Sequence, residues 1–115
     1  MGLFSFLFKN DDDVMKSAQV SAADSGMVGG GMEIDDVFSI RGRGTVVTGS
    51  VKGLLRVGDE VMIERQGDIE LSSAILQIEA FRKSLDEAHD GDNVGLLLRG
   101  VAREQVKRGD VVRRV

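Results

Sequence analysis

The sequence predicts an all-β fold, a small closed antiparallel β-barrel of about six strands that follows a flexible N-terminal extension. From residue 32 onward, short segments rich in β-branched or alternating apolar residues are separated by glycine turns. The chain has 15 glycines and no proline, which indicates tight turns built by glycine alone. Its 115 residues suffice for one domain with a tail. We therefore divide it into an extension, residues 1–31, and a barrel, residues 32–115.

The stretch that organises the barrel is EIDDVFSIRGRGTVVTGSVKG, residues 33–53. Residues 36–40 alternate polar and apolar side chains, as a half-buried strand does. Residues 45–48 are all β-branched, which favours a second strand. Gly42 and Gly44 lie between the two and permit the bend by which a sheet curves into a barrel.

The same patterns place the remaining elements along the chain. Strands are predicted at 34–40, 44–51, 59–65, 70–82, 93–99 and 110–114. Turns are predicted at 51–53, 57–59, 66–68 and 90–93, and short helical turns at 84–89 and 102–106. Residues 94–98 are almost wholly apolar, which makes this strand the best candidate for the most buried one.

The extension begins with MGLFSFLFK, which carries Phe4, Phe6 and Phe8. This apolar run is far shorter than the roughly 20 residues of a transmembrane helix, and it lacks the pattern of a signal peptide. Three interpretations remain open. The segment adds a strand or plug to the barrel, docks against a partner or a membrane surface, or is a loose terminus. Residues 10–31 then have the composition of a flexible linker.

The charge distribution bears on the kind of partner. The net charge is −4, so no overall attraction to nucleic acid or anionic lipid is expected. The C-terminal part is nevertheless locally basic, with the cations Arg99, Arg103, Lys107, Arg108, Arg113 and Arg114. This edge is either a solvated surface or a face that contacts a polyanion.

No catalytic residue, metal site or cofactor site is predicted. The chain has no cysteine, and its one histidine, His89, lies in a polar stretch without a nucleophile beside it. The glycine-rich GRGTVVTG, residues 42–49, lacks the Gly-Lys-Ser/Thr ending of a phosphate loop and lies between two strands. We therefore expect no binding of GTP or GDP.

Four quoted segments resemble a known family in the right order: EIDDVFSIRGRGTVVTG, LLRVGDEVMI, IEAFRKSLDEAHDGDNVGLLLRGV and EQVKRGDVV. They are similar to domain 2 of the translational GTPases, above all of elongation factor Tu. The resemblance covers about residues 33–112 and implies the domain 2 β-barrel. The family's GTPase domain and third domain have no counterpart in this sequence, and the turn at 51–53 is one residue shorter than usual.

The resemblance also implies a candidate site. In elongation factor Tu this barrel helps to hold the aminoacyl end of tRNA, in a cleft shared with the GTPase domain. The positions that match those contacts are Asp36, Phe38, Thr48, Glu79, Arg82 and Asn93. Arginine, carboxylate and amide groups are suited to the phosphate and ribose hydroxyls of an RNA end. Alternatively, the same residues only build the barrel rim, with Arg82 paired to Glu79 on the surface.

On these grounds we predict a bacterial, cytoplasmic, non-enzymatic binding or adaptor module, with an unidentified protein partner and no cofactor. Binding of tRNA is expected to be weak, because one wall of the cleft is missing. Two alternatives of other classes remain. One is an RNA- or ribosome-associated accessory protein, and the other is a peripheral membrane protein anchored by the N-terminal phenylalanines.

Overall fold

The computed structural model describes residues 29–115, which form nine β-strands and one 3₁₀ turn. The strands are β1 (Gly30–Glu33), β2 (Asp36–Ile40), β3 (Gly44–Arg56), β4 (Glu60–Arg65), β5 (Asp68–Ala80), β6 (Lys83–Leu85), β7 (Glu87–His89), β8 (Asn93–Leu98) and β9 (Val111–Arg114). The 3₁₀ turn spans Arg103–Gln105. The predictions for the aromatic segment and the linker, including Phe4, Phe6 and Phe8, lie outside the described residues.

Six of the strands form a closed antiparallel barrel, which confirms the predicted fold class. Their order is β1-β9-β4-β5-β8-β3, and β3 pairs back with β1. At this closing seam Met32 lies opposite Val51. Closure leaves these six strands without a free edge on the barrel wall, while β2 extends the sheet outward from β3.

Two strands of 13 residues each, β3 and β5, give the barrel its curvature. The first half of β3 pairs with β2 and β8, and its second half pairs with β1 and β7. In β5, the ladder shifts register between Ile75 and Gln77, where the strand passes from β4 to β8. A bulge of this kind bends a strand and increases its twist. The long coiled strand predicted at 70–82 is thereby confirmed, although it spans Asp68–Ala80 and the last two predicted residues form the turn that follows.

The core lies inside the barrel and is built by alternate residues of the paired strands. Val47, Leu96 and Ile78 are fully shielded from solvent at the centre of this cluster. All five residues of 94–98 are buried, so the prediction that this strand is the most buried is confirmed. Within residues 29–115, no helix is long and apolar enough to cross a membrane.

The barrel begins at Gly30, before the boundary that the sequence suggested at Met32. Gly30 and Gly31 were assigned to the linker, yet both lie in β1 and pair with β3. A Cβ atom on Gly30 would overlap the backbone of Leu54. Gly30 therefore serves a close approach of two strands, a role that linker composition does not reveal.

Two local predictions were wrong. The helical turn expected at 84–89 is instead the two short strands β6 and β7, which pair with β5 and β3. The turn expected at 51–53 does not interrupt β3, because Gly53 bends the strand at a φ of 77° without ending it. In both places strand pairing overrode local turn composition, through the β5–β6 hairpin and the pairing of β3 with β1 and β7. The helical turn predicted at 102–106 is confirmed as the 3₁₀ turn.

An ion pair between the partly exposed Arg65 and the buried Asp110 attaches the C-terminal loop to β4. The Nε and Nη2 atoms of Arg65 donate to the two carboxylate oxygens of Asp110, each at 3.0 Å. The backbone N–H of Lys107 donates to the same carboxylate at 2.9 Å. Burial alone would raise the pKa of Asp110, but these hydrogen bonds and the nearby positive charges hold it below its usual range.

Candidate binding surface

The strand registers bring four residues into one row on the outer face of the barrel. Asp36 lies opposite Thr48, Thr48 opposite Gly95, and Gly95 opposite Glu79. Residues that lie directly opposite each other project from the same side of a sheet. Their neighbours of opposite parity, such as Val47, point into the main core. We call the side of β2, β3, β8 and β5 that faces away from this core the outer face.

A second polar contact extends this face toward the start of β8. Asn93 lies opposite Ser50, and the Ser50 hydroxyl donates to the Asn93 side-chain oxygen at 2.9 Å. Ser50 and Thr48 share one side of β3, because they are two positions apart. Four of the six predicted site residues therefore belong to one continuous surface, and Phe38 is the fifth, as the next contacts show.

An apolar cluster separate from the main core lies on the same face. Ile40, Val46 and Leu97 form it, and the partly buried Phe38 packs against them. Val46 lies opposite both Phe38 and Leu97. Because Val46 is two positions from Thr48 in β3, the cluster lies next to the polar row. The outer face thus presents a polar row beside an apolar floor.

Glu79 is the most unusual residue of the face, because it is a carboxylate with only 7% of its surface exposed. Its Oε1 atom is buried and has no hydrogen-bond partner among the described residues. Burial raises the pKa of Glu79, and the positive charge of Arg43 partly opposes this shift. Gly95, which lies opposite Glu79, has no side chain.

Arg82 lies at the margin of the face, not in the row. Phe81 and Arg82 form the tight turn between β5 and β6, with φ values of 55° and 65°. Both are exposed. The left-handed backbone costs about 1 kcal/mol for each residue that has a Cβ atom. Glu79 is buried, and within residues 29–115 no ion pair joins it to Arg82, unlike the surface pair considered from the sequence.

A basic cleft of about 190 Å³ adjoins the Asp36 end of the row. It lies between β2 and the 3₁₀ turn and is lined by Asp36, Val37, Arg103, Val106, Lys107 and Arg108. The sequence showed a basic C-terminal edge but not this gathering of three cations. The cleft depends on the packing of two segments more than 60 positions apart, which local patterns do not encode.

The remaining cations of the basic edge that lie in β9 have structural partners. Arg113 pairs with Glu64 at 3.0 Å, and Arg114 lies 3.8 Å from Asp59. The local excess of positive charge is therefore concentrated at the cleft.

Two further residues of the face were missed by the sequence reasoning. The Arg43 guanidinium donates to the Gln77 side-chain oxygen at 3.2 Å, and the Gln77 amide donates to Ser84 at 3.3 Å. Gln77 lies opposite Leu97 and so borders the apolar cluster. The bulge before Gln77 breaks the alternation of β5, which hid this position from a period-two analysis.

His89 lies in β7, where its ring nitrogen Nε2 is 3.1 Å from the Glu87 carboxylate and its side chain is 64% exposed. In the part of the chain that the structure describes, no group of three or more His, Cys, Asp or Glu side chains is placed to hold a metal ion.

Comparisons with known proteins agree with this architecture. Residues 44–113 match the family model of elongation factor Tu domain 2. A solved structure, the apo form of translation elongation factor SelB from Methanococcus maripaludis, matches with a TM-score of 0.69 at 32% sequence identity. The match covers 88% of this chain and 21% of that chain, so the present sequence spans about a fifth of that factor.

Proposed function

This chain belongs to the elongation factor Tu domain 2 family, and from that premise we propose that it is a non-enzymatic, translation-related binding module whose outer face holds the terminal nucleoside of an RNA. The module acts beside a protein partner that supplies the opposite wall of the site. This proposal unites an adaptor role with an RNA-directed one.

The observation that carries the proposal is the buried, unpartnered Oε1 atom of Glu79. A buried polar group without a partner costs about 1–3 kcal/mol, and a ligand that donates a hydrogen bond removes this cost. The free end of an RNA offers such donors in its terminal ribose hydroxyls and in the amino groups of its base. Gly95, which has no side chain, lies opposite this acceptor in the row.

The apolar cluster supplies the second part of the site. Unstacked RNA bases are held by stacking on aromatic side chains and by contact with apolar surface. Phe38 lies beside the polar row and packs on Val46 and Leu97. A base that rests on Phe38 would bring its ribose toward Thr48 and Glu79, since these residues lie in the adjacent row.

The basic cleft supplies the third part. Arg103, Lys107 and Arg108 line it at the Asp36 end of the face, where the phosphates that precede a terminal nucleoside can pass. Phosphate contacts position an RNA without selecting its sequence, and they weaken as salt is raised. Arg82 supplies a further cation at the β6 side.

Binding by the isolated module is weak, because its site has a single wall. A ligand on one open face remains hydrated, and hydrogen bonds gain strength only where water is excluded. The matched factor is about four times as long as this chain, which is compatible with an opposite wall provided by another domain or protein.

The test is a comparison of aminoacylated and deacylated tRNA at physiological salt, with the wild-type protein and the variants Glu79→Gln and Arg82→Ala. We expect weak, salt-sensitive binding that Glu79→Gln reduces by about tenfold. Glu60→Gln is the matched control, because it removes the same charge from an exposed position on β4, outside the outer face. An affinity that neither Glu79→Gln nor Arg82→Ala changes would contradict the proposal. The absence of binding to either tRNA would contradict it as well.

A further inference from the structure

We propose that Arg65, through its hydrogen bonds to Asp110, positions the three cations of the basic cleft so that they converge on one phosphate site. This inference rests on the proposed function for the assignment of phosphate groups to the cleft. Arg65 lies behind the loop that carries the cations, outside the set of residues that line the cleft. It is therefore a positioning residue and not a phosphate ligand.

The three cations lie on one loop, residues 99–110, which joins β8 to β9 and contains the 3₁₀ turn. The side chains of all three, Arg103, Lys107 and Arg108, are exposed. Like charges that share a cleft repel one another, and surface loops are mobile unless other parts of the fold hold them. A cleft that gathers three cations before its ligand arrives therefore needs contacts that fix the loop.

Arg65, at the end of β4, provides such contacts at two points of the loop. Its Nε and Nη2 atoms donate to the two carboxylate oxygens of Asp110, each at 3.0 Å, and Nη2 also donates to the backbone carbonyl of Gln105 at 3.3 Å. Gln105 ends the 3₁₀ turn, and Asp110 immediately precedes β9. The planar guanidinium thus spans both ends of the segment that contains Lys107 and Arg108.

The same contacts leave the Lys107 ammonium group to the cleft. The Asp110 side chain is buried, and both of its carboxylate oxygens accept hydrogen bonds from Arg65. One of them also accepts the backbone N–H of Lys107 at 2.9 Å. Without the guanidinium, this carboxylate would attract the Lys107 side chain, which is three positions away. Arg65 therefore orders the loop and also keeps one of its cations available to a ligand.

Backbone hydrogen bonds hold the loop against the other side of the cleft. The Ile34 N–H donates to the Asp110 carbonyl, and the Gly109 N–H donates to the Ile34 carbonyl, each at 2.8 Å. Ile34 lies two residues before β2, which lines the cleft on that side. The loop is thus attached to the start of β2 and, through Arg65, to β4. Such preorganisation lowers the ordering cost of binding a phosphate group.

The experiment titrates the full chain with inorganic tripolyphosphate and follows the amide resonances of the folded protein by NMR, well below the melting temperature. Unfolded molecules then do not contribute to the measured affinity. Arg65→Lys keeps the positive charge but loses the planar fork, so we expect it to weaken binding by about tenfold. Arg113→Lys is the matched control, because it makes the same change in the ion pair with Glu64, outside the cleft. It should leave the affinity unchanged.

Asp110→Asn separates positioning from simple attraction, because the two predict changes of opposite sign. The substitution removes a negative charge close to the cations, so attraction alone would strengthen the binding of tripolyphosphate. Positioning predicts binding that is about tenfold weaker, with no further loss when Arg65→Lys is added. Glu70→Gln removes the same charge from a carboxylate 3.6 Å from the Nη1 atom of Arg65, and it should not weaken binding.

An affinity of Arg65→Lys equal to that of the wild type overturns the proposal, and so does stronger binding by Asp110→Asn. A wild-type cleft that does not bind tripolyphosphate overturns it as well. A measurement on the wild type alone covers variants that fail to fold. The amide order parameters of residues 103–110 in the free protein should match those of β8, at about 0.85, and values below about 0.6 contradict the proposal.

An RNA arm separates this proposal from the proposed function. The same variants are titrated with a short single-stranded RNA in place of tripolyphosphate. We expect the same order of affinities, because the cleft receives the RNA phosphates. If RNA fails to bind while the tripolyphosphate results hold, the proposed function is wrong and the positioning role of Arg65 stands. If RNA binds but Arg65→Lys changes neither affinity, the positioning role is wrong and the proposed function stands.

Discussion

At the scale of single residues, Glu79 combines a stability cost with the proposed binding role. Burial raises the pKa of its carboxyl group, so the ionised form is disfavoured in the folded state. A carboxyl group whose pKa is raised on folding weakens the fold above that pKa, and the penalty fades as the pH falls toward the unfolded value of about 4.3.

We therefore expect Glu79→Gln to raise the melting temperature at neutral pH. The gain should shrink as the pH is lowered through the raised pKa, because the wild-type carboxyl group becomes neutral there. Thermal unfolding of both proteins over the acidic to neutral range measures this difference. A variant that is less stable than the wild type at neutral pH would show that the charge of Glu79 has a partner within the fold.

Asp110 has the opposite dependence on pH. Burial alone would raise its pKa, but the hydrogen bonds from Arg65 and Lys107 and the positive charges of these two residues together lower the pKa in the folded state. Stability from this carboxylate is complete above the unfolded pKa of about 3.9 and is lost as the pH falls through the lower, folded value.

Asp110→Asn should lower the free energy of unfolding by about 1–3 kcal/mol at neutral pH, because the buried carboxylate loses the charge that strengthens its hydrogen bonds with the partly exposed Arg65. Chemical denaturation provides the measurement. Asp68→Asn, which removes an exposed charge at the start of β5, should change stability by less than about 0.5 kcal/mol. Equal effects of the two substitutions would rule out a structural role for the Arg65–Asp110 pair.

At the scale of elements, the turn between β5 and β6 carries strain at the margin of the outer face. Phe81 and Arg82 both have positive φ values, which glycine and asparagine tolerate far better. Replacing the pair by Asn-Gly should stabilise the barrel by about 1–2 kcal/mol. The same change should weaken RNA binding, because it removes the Arg82 cation. A denaturation curve and a binding curve on one variant test both effects. If the Asn-Gly variant has the same free energy of unfolding as the wild type, the backbone of this turn is unstrained.

The elements also show what the sequence could reveal. The alternation in 36–40, the β-branched run in 45–48 and the apolar strand 94–98 each predicted a strand that the structure contains. These strands are determined by burial, which leaves a periodic signal. The strands β6 and β7, three residues each, are too short to carry such a signal. β6 pairs with β5 across a tight turn, and β7 pairs with the distant β3.

The candidate surface was predictable only in part. The resemblance to elongation factor Tu domain 2 supplied the six matching residues, and the registers place five of them on one face. The unpartnered oxygen of Glu79, the contact between Arg43 and Gln77 and the cleft at Arg103 depend on three-dimensional packing. No local pattern in the sequence reports such packing.

At the scale of the whole molecule, closure of the barrel depends on the seam between β1 and β3. A methyl group at Gly30 would overlap the backbone of Leu54, so β1 must move away from its partner strand. Gly30→Ala should lower the free energy of unfolding by about 3 kcal/mol. Gly67→Ala is the control, because it adds a methyl group in open space, at a turn with a φ of 88°. A smaller loss from Gly30→Ala than from Gly67→Ala would contradict this account of closure.

The central claim is that the outer face binds the terminal nucleoside of an RNA, and an NMR titration of the full chain tests it most directly. The titrants are a short single-stranded RNA and the same RNA without its terminal 2′ and 3′ hydroxyls. We predict that the intact RNA shifts the resonances of Phe38, Thr48, Glu79 and Gly95, and that the RNA without the two hydroxyls binds more weakly. Equal binding of the two RNAs would contradict the claim. Shifts confined to β4 and β9, around Met62 and Arg113, would also contradict it.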